Sequence, residues 1–244
     1  IAGLVAAAVL MVIAALAQPA DVVQPIRKSQ GGLAPFMASQ WFPLFIIATL
    51  FVQGSHGAFY AFGSIIWKAN GIDESLIGLL WAGSVTAEII FFANARPLIQ
   101  RFGPVNMLLV GGIATTLRWM IMAALPGHLG AACAAQLLHV LTFGGSHLAA
   151  MAMIGKLVDD RISPTAQALY SAVVMGIGMG AFVFASAPLY DLLGANVFYV
   201  TAGLAALGTV LMTALTKDRL VRIAPADTPA EPGIVQPMDR ANPA

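Results

Sequence analysis

Residues 104–125 read PVNMLLVGGIATTLRWMIMAAL and are followed by Pro126-Gly127. At about 1.5 Å per residue a helix of this length spans about 33 Å, enough for the ~30 Å hydrocarbon layer of a bilayer. Proline suits a first helical turn, where its missing N–H has no partner to lose, and Pro-Gly stops a helix. Arg118 is the single ionisable residue of the stretch. The sequence therefore predicts a transmembrane helix carrying one charge that needs a partner or a purpose.

Outward from this helix the pattern repeats at 41–67, 75–95, 129–155, 164–189 and 195–216, with Asn70-Gly71, Ser163-Pro164 and Gly194 at the breaks. Of the 244 residues 59% are hydrophobic and 9% charged, against about 25% charged in a soluble domain. A water-soluble globule is excluded. The net charge of +1 provides no basic face for a run of phosphates, so nucleic acid is not an expected partner. Cys133 is the single cysteine, so no disulfide framework exists. The expected fold class is all-α, a polytopic transmembrane helix bundle.

The chain divides into four parts. Residues 1–17 form a charge-free run. Ala15-Leu16-Ala17 is similar to a signal-peptidase site, but the basic segment that precedes a signal core is missing, so 1–17 is expected to be the end of a truncated transmembrane helix. Residues 18–40, with Pro19, Pro25, Gly31, Gly32 and Pro35, make one long linker; 41–216 hold six short-looped spans; 217–244, rich in proline and mixed charge, are expected to be disordered. Arg27, Lys28, Arg96, Arg101, Lys156, Arg161 and the basic residues after Thr216 fall in alternate connections, with Lys68 opposite. The positive-inside rule then places linker and tail in the cytoplasm, with Trp41 and Trp67 as anchors at opposite interfaces.

Ionisable groups within spans are expensive and mark function or a specific partner. Here they are His56, Glu88, Arg118, His139 and His147. Counted from the external end, Arg118 lies about 10 Å deep, His56 and His139 about 16 Å, and Glu88 about 20 Å, with His147 deeper still. The offset strains a direct Glu88–Arg118 contact, and His139 falls between them, so a relay of Arg118, His139 and Glu88 is expected. Helical spacing groups further residues into stripes: Gln53, His56, Tyr60 and Ser64; Trp81, Ser84 and Glu88; Thr115, Arg118 and Met122; Gln136, His139, Phe143 and Ser146. Four stripes at shared depth point to a polar cavity, although packing accounts for any one of them. Gly111-Gly112, Gly144-Gly145 and the Gly176, Gly178, Gly180 run are read as close-packing points. His139 and His147, about 12 Å apart along one helix, are too far apart to share a metal ion, so no metal or other cofactor is expected, and no base stands beside a serine to make an enzyme.

The runs Gln53-Gly54-Ser55-His56, Leu80-Trp81, Ala87-Glu88, Arg118-Trp119, Leu138-His139, Thr142-Phe143, His147-Leu148-Ala149-Ala150-Met151 and Tyr170-Ser171-Ala172-Val173 resemble the C-terminal half of bacterial 3-phenylpropionate permeases of the major facilitator superfamily. More distantly, Arg101-x-Gly103, Arg118 and Leu138-His139 are similar to lactose permease, which carries an acid three positions after the histidine, where this chain has Thr142. Gln100-Arg101-Phe102-Gly103 resembles the superfamily's cytoplasmic loop motif, with Gln100 in place of an aspartate.

The resemblance implies the second six-helix half of a major facilitator fold in a bacterial inner membrane, with its N-terminal bundle outside this chain. It implies proton symport of a small aromatic carboxylate, with the substrate, protons, the lipid bilayer and the other bundle as partners. Glu88, His139 and Arg118 would couple the proton. Arg118, Gln136, His56, Gln53, Tyr60, Trp81 and Phe143 would bind substrate, with Phe59 in the aromatic lining. A nucleoside or oligosaccharide symporter and a non-transporting membrane sensor or assembly protein remain alternatives.

Overall fold

The computed structural model describes residues 41–158, 160 and 162–215. The expectations for 1–17, 18–40 and 217–244 lie outside the described residues. Within them every regular element is helical: α1 (Trp41–Gly54), α2 (Gly57–Ala69), α3 (Glu74–Phe102), α4 (Pro104–Ala124), α5 (Leu129–His139), α6 (Ser146–Leu157), α7 (Ser163–Tyr170), α8 (Met179–Leu193) and α9 (Val197–Thr213). A π-helical turn, Val140–Gly145, joins α5 to α6, and another, Ser171–Gly178, joins α7 to α8.

Five continuous runs are long and apolar enough to cross a membrane: Trp41–Ala69, Glu74–Phe102, Pro104–Ala124, Leu129–Leu157 and Ser163–Thr213. The chain is a multi-pass membrane protein. The last run has 51 residues, about 76 Å of helix and far more than one crossing needs. It turns back at Gly194–Asn196, where Gly194 takes φ +56°, a left-handed conformation that costs glycine little. The contacts record the reversal. Tyr190 of α8 stacks on Phe62 of α2, whereas Phe198 at the start of α9 stacks on Trp119, and Gly208 near its end lies against Ala48 and Val52 of α1.

One expected boundary shifts, and one run is irregular inside. The helix foreseen at 75–95 continues to Phe102 through Pro97, which gives up one backbone hydrogen bond in an exposed turn. The first run is irregular at Ser55 and His56, whose side chains bond back to the Val52 carbonyl at 2.6 and 3.2 Å and compete with the helical ladder. Trp41 and Trp67 do stand at opposite ends of this run, but both are buried in the bundle, so they pack within it instead of anchoring at a lipid interface.

Apolar burial against lipid supplies little drive for helices to associate; shape fit and interhelical hydrogen bonds supply it. Added Cβ atoms at Gly111 and Gly112 would overlap Ser146 of α6 and Thr209 of α9, so these glycines set the approach of α4 to both neighbours. In the 176–180 run only Gly178 is tightly packed, against Leu50, while Gly180 faces open space. The buried apolar residues form two cores, one around Phe45, Met153 and Tyr170, the other around Phe59, Trp67, Trp119 and Phe198. Gln53, His56, Thr115, Arg118, Gln136, His139 and Thr142 are all buried, and in α1, α4 and α5 they fall between the segments feeding the two cores. The fold thus sandwiches a polar layer between two apolar ones.

Candidate functional site

Arg118 occupies the centre of the polar layer and is 0% exposed. Its Nη1 donates to His139 Nδ1 at 3.0 Å and to Thr142 Oγ1 at 3.4 Å; its Nη2 donates to Gln136 Oε1 at 3.1 Å. The guanidinium carbon lies 4.5 Å from the ring centroids of Phe59 and of Trp119, so two π faces share the charge. A guanidinium has five N–H donors, and these three bonds leave two unspent. One is the Nε–H, a buried atom with no partner. No described carboxylate pairs with the cation; the one described ion pair joins Lys68 to Glu74.

These bonds fix the histidine tautomers. Arginine only donates, so His139 accepts at Nδ1 and carries its proton on Nε2. His56 Nδ1 faces the Val52 and Gln53 carbonyls at 3.2 Å and must donate there. Its Nε2, left as an acceptor, lies 3.3 Å from Thr142 Oγ1, whose one hydroxyl proton is also donated to the His139 carbonyl, 3.3 Å from the same oxygen. Thr142 therefore stands between Arg118, from which it accepts a hydrogen bond, and His56, with its hydroxyl proton shared between the His139 carbonyl and His56 Nε2.

An aromatic wall surrounds this network. His139 stacks on Phe143 at 5.2 Å, Tyr60 stacks on Trp81 at 6.1 Å, and Phe59 lies 4.9 Å from Trp81. Trp81 Nε1 donates to Ser64 at 2.9 Å, which pins α3 to α2. Gln136 Nε2 donates to the Leu80 carbonyl at 3.1 Å, which pins α5 to α3. Beside Gln136 a cavity of about 330 Å³ opens between α3 and α5, lined by Leu76, Leu80, Ser84, Cys133 and Leu137. Tyr60 is 39% exposed and forms the accessible edge of the aromatic group. Gln53 reaches the Phe143 carbonyl at 3.4 Å.

The expected relay is only half formed. Arg118 and His139 are bonded, and Gln136 joins them, but Glu88 has no hydrogen bond or ion pair with a described residue. Its carboxylate rests against Gly144 in the π turn, where an added Cβ would stand 2.6 Å from Oε1. Residue 144 lies about 7.5 Å beyond His139 along the helix axis, which separates the carboxylate from the imidazole. Arg101 and Gly103 are well away from this network, at the α3–α4 turn. Gly103 takes φ +77°, and the exposed Arg101 guanidinium lies 5.8 Å from the Phe102 ring centroid.

Sequence reasoning passed over Thr142 and Trp119 as site residues. Thr142 follows His139 by three positions, a helical spacing that could have found it. Trp119 sits next to Arg118, covers its guanidinium and donates to Ser55 Oγ at 2.8 Å; adjacency in sequence gave no hint of that contact.

Residues 2–201 match the MFS_1-like family. The chain is 38% identical over 158 residues to the "Probable 3-phenylpropionic acid transporter" of Escherichia coli (strain K12), covering 65% of this chain and 41% of the relative. It is 25% identical over 179 residues, 73% of this chain and 44% of the relative, to the "Uncharacterized transporter YwbF" of Bacillus subtilis (strain 168). To the maltose permease of Geobacillus stearothermophilus it is 30% identical over 142 residues, 58% of this chain and 36% of the relative. It spans less than half the length of these curated relatives, which are transporters and permeases by name, not enzymes. No solved structure matches. With an intramembrane cation set in an all-helical, multi-pass bundle and a family match over residues 2–201, the chain belongs to the MFS_1-like branch of the major facilitator superfamily.

Proposed function

We propose that the complete protein is a proton-coupled symporter of a small aromatic carboxylate, 3-phenylpropionate being the first compound to test. This chain would be its C-terminal six-helix half, in a bacterial inner membrane with its C-terminus in the cytoplasm. One observation carries the reading: a fully buried guanidinium with no described carboxylate partner and two unspent N–H donors. The unspent donors are open to a substrate carboxylate, which would add charge-assisted hydrogen bonds to those the fold already supplies. The rings of Tyr60, Trp81 and Phe143 suit an aromatic body held beside that charge, and the name of the Escherichia coli relative agrees.

Glu88 is the proton site in this reading. It is the intramembrane carboxylate of the described residues, half-buried and free of partners, so it can gain and lose a proton without breaking a structural bond. Symport follows if only the empty form and the form loaded with both proton and substrate reorient across the membrane. The N-terminal bundle would cover the exposed apolar faces of α3 and α8 and complete the cavity.

An oligosaccharide symporter is the second reading. The maltose permease relative and the Tyr60–Trp81 platform, on which a sugar face could stack, favour it. Uptake of labelled 3-phenylpropionate into proteoliposomes holding the complete protein separates the two. Under the first reading an imposed proton gradient drives accumulation, an uncoupler abolishes it, and Glu88→Gln loses it. Gradient-driven uptake of labelled maltose, with no uptake of 3-phenylpropionate, would transfer the case to the second.

A further inference from the structure

A second polar group lies about 12 Å along the helix from His139. Gln53 Oε1, the Tyr170 hydroxyl and His147 Nδ1 are buried polar atoms without a hydrogen-bond partner. They come from α1, the end of α7 and the start of α6, and two of them flank the π turns: Tyr170 directly precedes one, and His147 is two residues past the other. Such turns admit an extra residue per turn and recur at functional sites. Gln53 and Tyr170 are 1% and 0% exposed. Tyr170 is the hub. Its ring stacks on Phe45 at 5.6 Å and lies 5.9 Å from the His147 ring, and its hydroxyl faces the Gln53 amide without a direct bond of good geometry.

A water molecule offers two donors and two acceptor sites, the complement that Gln53 Oε1 and His147 Nδ1 as acceptors and the Tyr170 hydroxyl as donor call for. His147 is half-buried, with Nδ1 facing inward, so the rest of its ring is the accessible part. Glu88 stands between the two polar groups. Its carboxylate rests on Gly144, and His147 follows Gly144 by three residues, hence on the same face of the helix. The titratable groups on the elements packed against α6 and the π turn before it include Tyr170 of α7, Arg118 of α4 and Glu88 of α3.

We propose that Gln53, Tyr170 and His147 bind a water molecule, and that this water and His147 carry protons between Glu88 and the end of the bundle at the α3–α4 turn and the C-terminus of α6. The proposal rests on the symport reading above. In the releasing direction the Glu88 O–H bond breaks and its proton goes to the water, which passes one of its own to His147 Nδ1. His147 then yields its Nε2 proton to solvent. Glu88 is left as carboxylate, one proton has left the protein, and exchange of the ring proton with solvent restores the starting tautomer. Tyr170 and Gln53 are positioning residues, holding the water in line.

The test uses the complete protein in proteoliposomes with labelled 3-phenylpropionate. Gradient-driven accumulation requires proton release on every cycle, whereas exchange of labelled for unlabelled substrate at equal concentrations does not. His147→Gln keeps a hydrogen-bonding side chain that cannot titrate. It should slow gradient-driven uptake by at least about tenfold and leave exchange within about twofold of wild type. Tyr170→Phe keeps the ring on Phe45, should show the same split to a smaller degree, and stands in if the first variant fails to insert. Equal loss of uptake and exchange would make the cluster structural and overturn the proposal, as would undiminished uptake. Wild type that exchanges substrate but never accumulates it on a proton gradient would overturn the symport reading as well; intact coupling in wild type and both variants would overturn this proposal alone.

Discussion

Two ionisable groups of opposite sign share the interior of this bundle and are treated in opposite ways. Arg118 is sealed, held by three hydrogen bonds and covered by two aromatic faces. Glu88, less than two turns away along the bundle, is half-buried against a π turn with no described partner. Burying a cation at a helix centre costs about 3 kcal/mol on insertion scales, while hydrogen bonds to a charged group contribute about 1.5–3 kcal/mol each. Three such bonds outweigh the cost, so Arg118 belongs to the fold as well as to the site. No such compensation holds Glu88, which leaves it free to change protonation or partner.

The largest expected effect breaks this comparison at its strong end. Arg118→Met fills similar space but leaves His139, Gln136 and Thr142 without their donor, and should destabilise the bundle by about 3 kcal/mol. Thermal unfolding in detergent measures it. Glu88→Gln, read in the same assay, should change stability by no more than about 0.5 kcal/mol. Equal losses would mean that Glu88 holds the fold too, and the contrast between the two groups would vanish.

A finer cut sharpens the same comparison. Thr142 is the bridge by which the Arg118 network reaches His56. Thr142→Val keeps shape and volume but removes the contacts of the hydroxyl with Arg118, His56 and the His139 carbonyl, so a loss of about 1 kcal/mol is expected. A variant as stable as wild type would show that His56 and Arg118 are held independently, by the Val52 and Gln53 carbonyls on one side and by His139 and Gln136 on the other.

The spans were legible because lipid imposes a crude rule, a charge-free length closed by Gly or Pro, and 104–125 obeys it almost to the residue. Where tertiary contacts override that rule the sequence misleads. The span expected to end at 95 runs on to Phe102 through Pro97, since an exposed turn tolerates one missing bond. The irregularity at Ser55 and His56 arises from side chains bonding to the Val52 carbonyl, and neither residue type breaks helices by propensity. Intramembrane polarity marked Arg118, His139, Gln136 and His56 as neighbours, and they are. It could not place Glu88, whose carboxylate rests on Gly144 within the π turn at Val140–Gly145, an element with no residue signature beyond its paired glycines.

The smallest effect expected lies outside the membrane, at a carboxylate that is the counterpart of Glu88. Asp73 precedes α3, accepts the Ser75 N–H at 2.8 Å and also the Ser75 hydroxyl. The hydroxyl first and the backbone N–H second hold its carboxyl below the ordinary aspartate value. A lowered value in the folded state means that the charged form is the one the fold prefers. Its contribution is therefore complete above the ordinary value of about 3.9 and fades as pH falls through the lowered one. Asp73→Asn keeps a capping acceptor but cannot titrate. Amide exchange in the first turn of α3 should then lose its rise at acid pH in the variant while matching wild type near neutrality. The Lys68–Glu74 pair beside it is exposed on both sides, and salt screens it. A pH profile unchanged by the substitution would assign the acid sensitivity to that pair. Asp73 is a carboxylate with water and two donors to hold its charge, so its protonation loosens one helical turn. Glu88 has neither, and the same chemical event there is left free to act on transport.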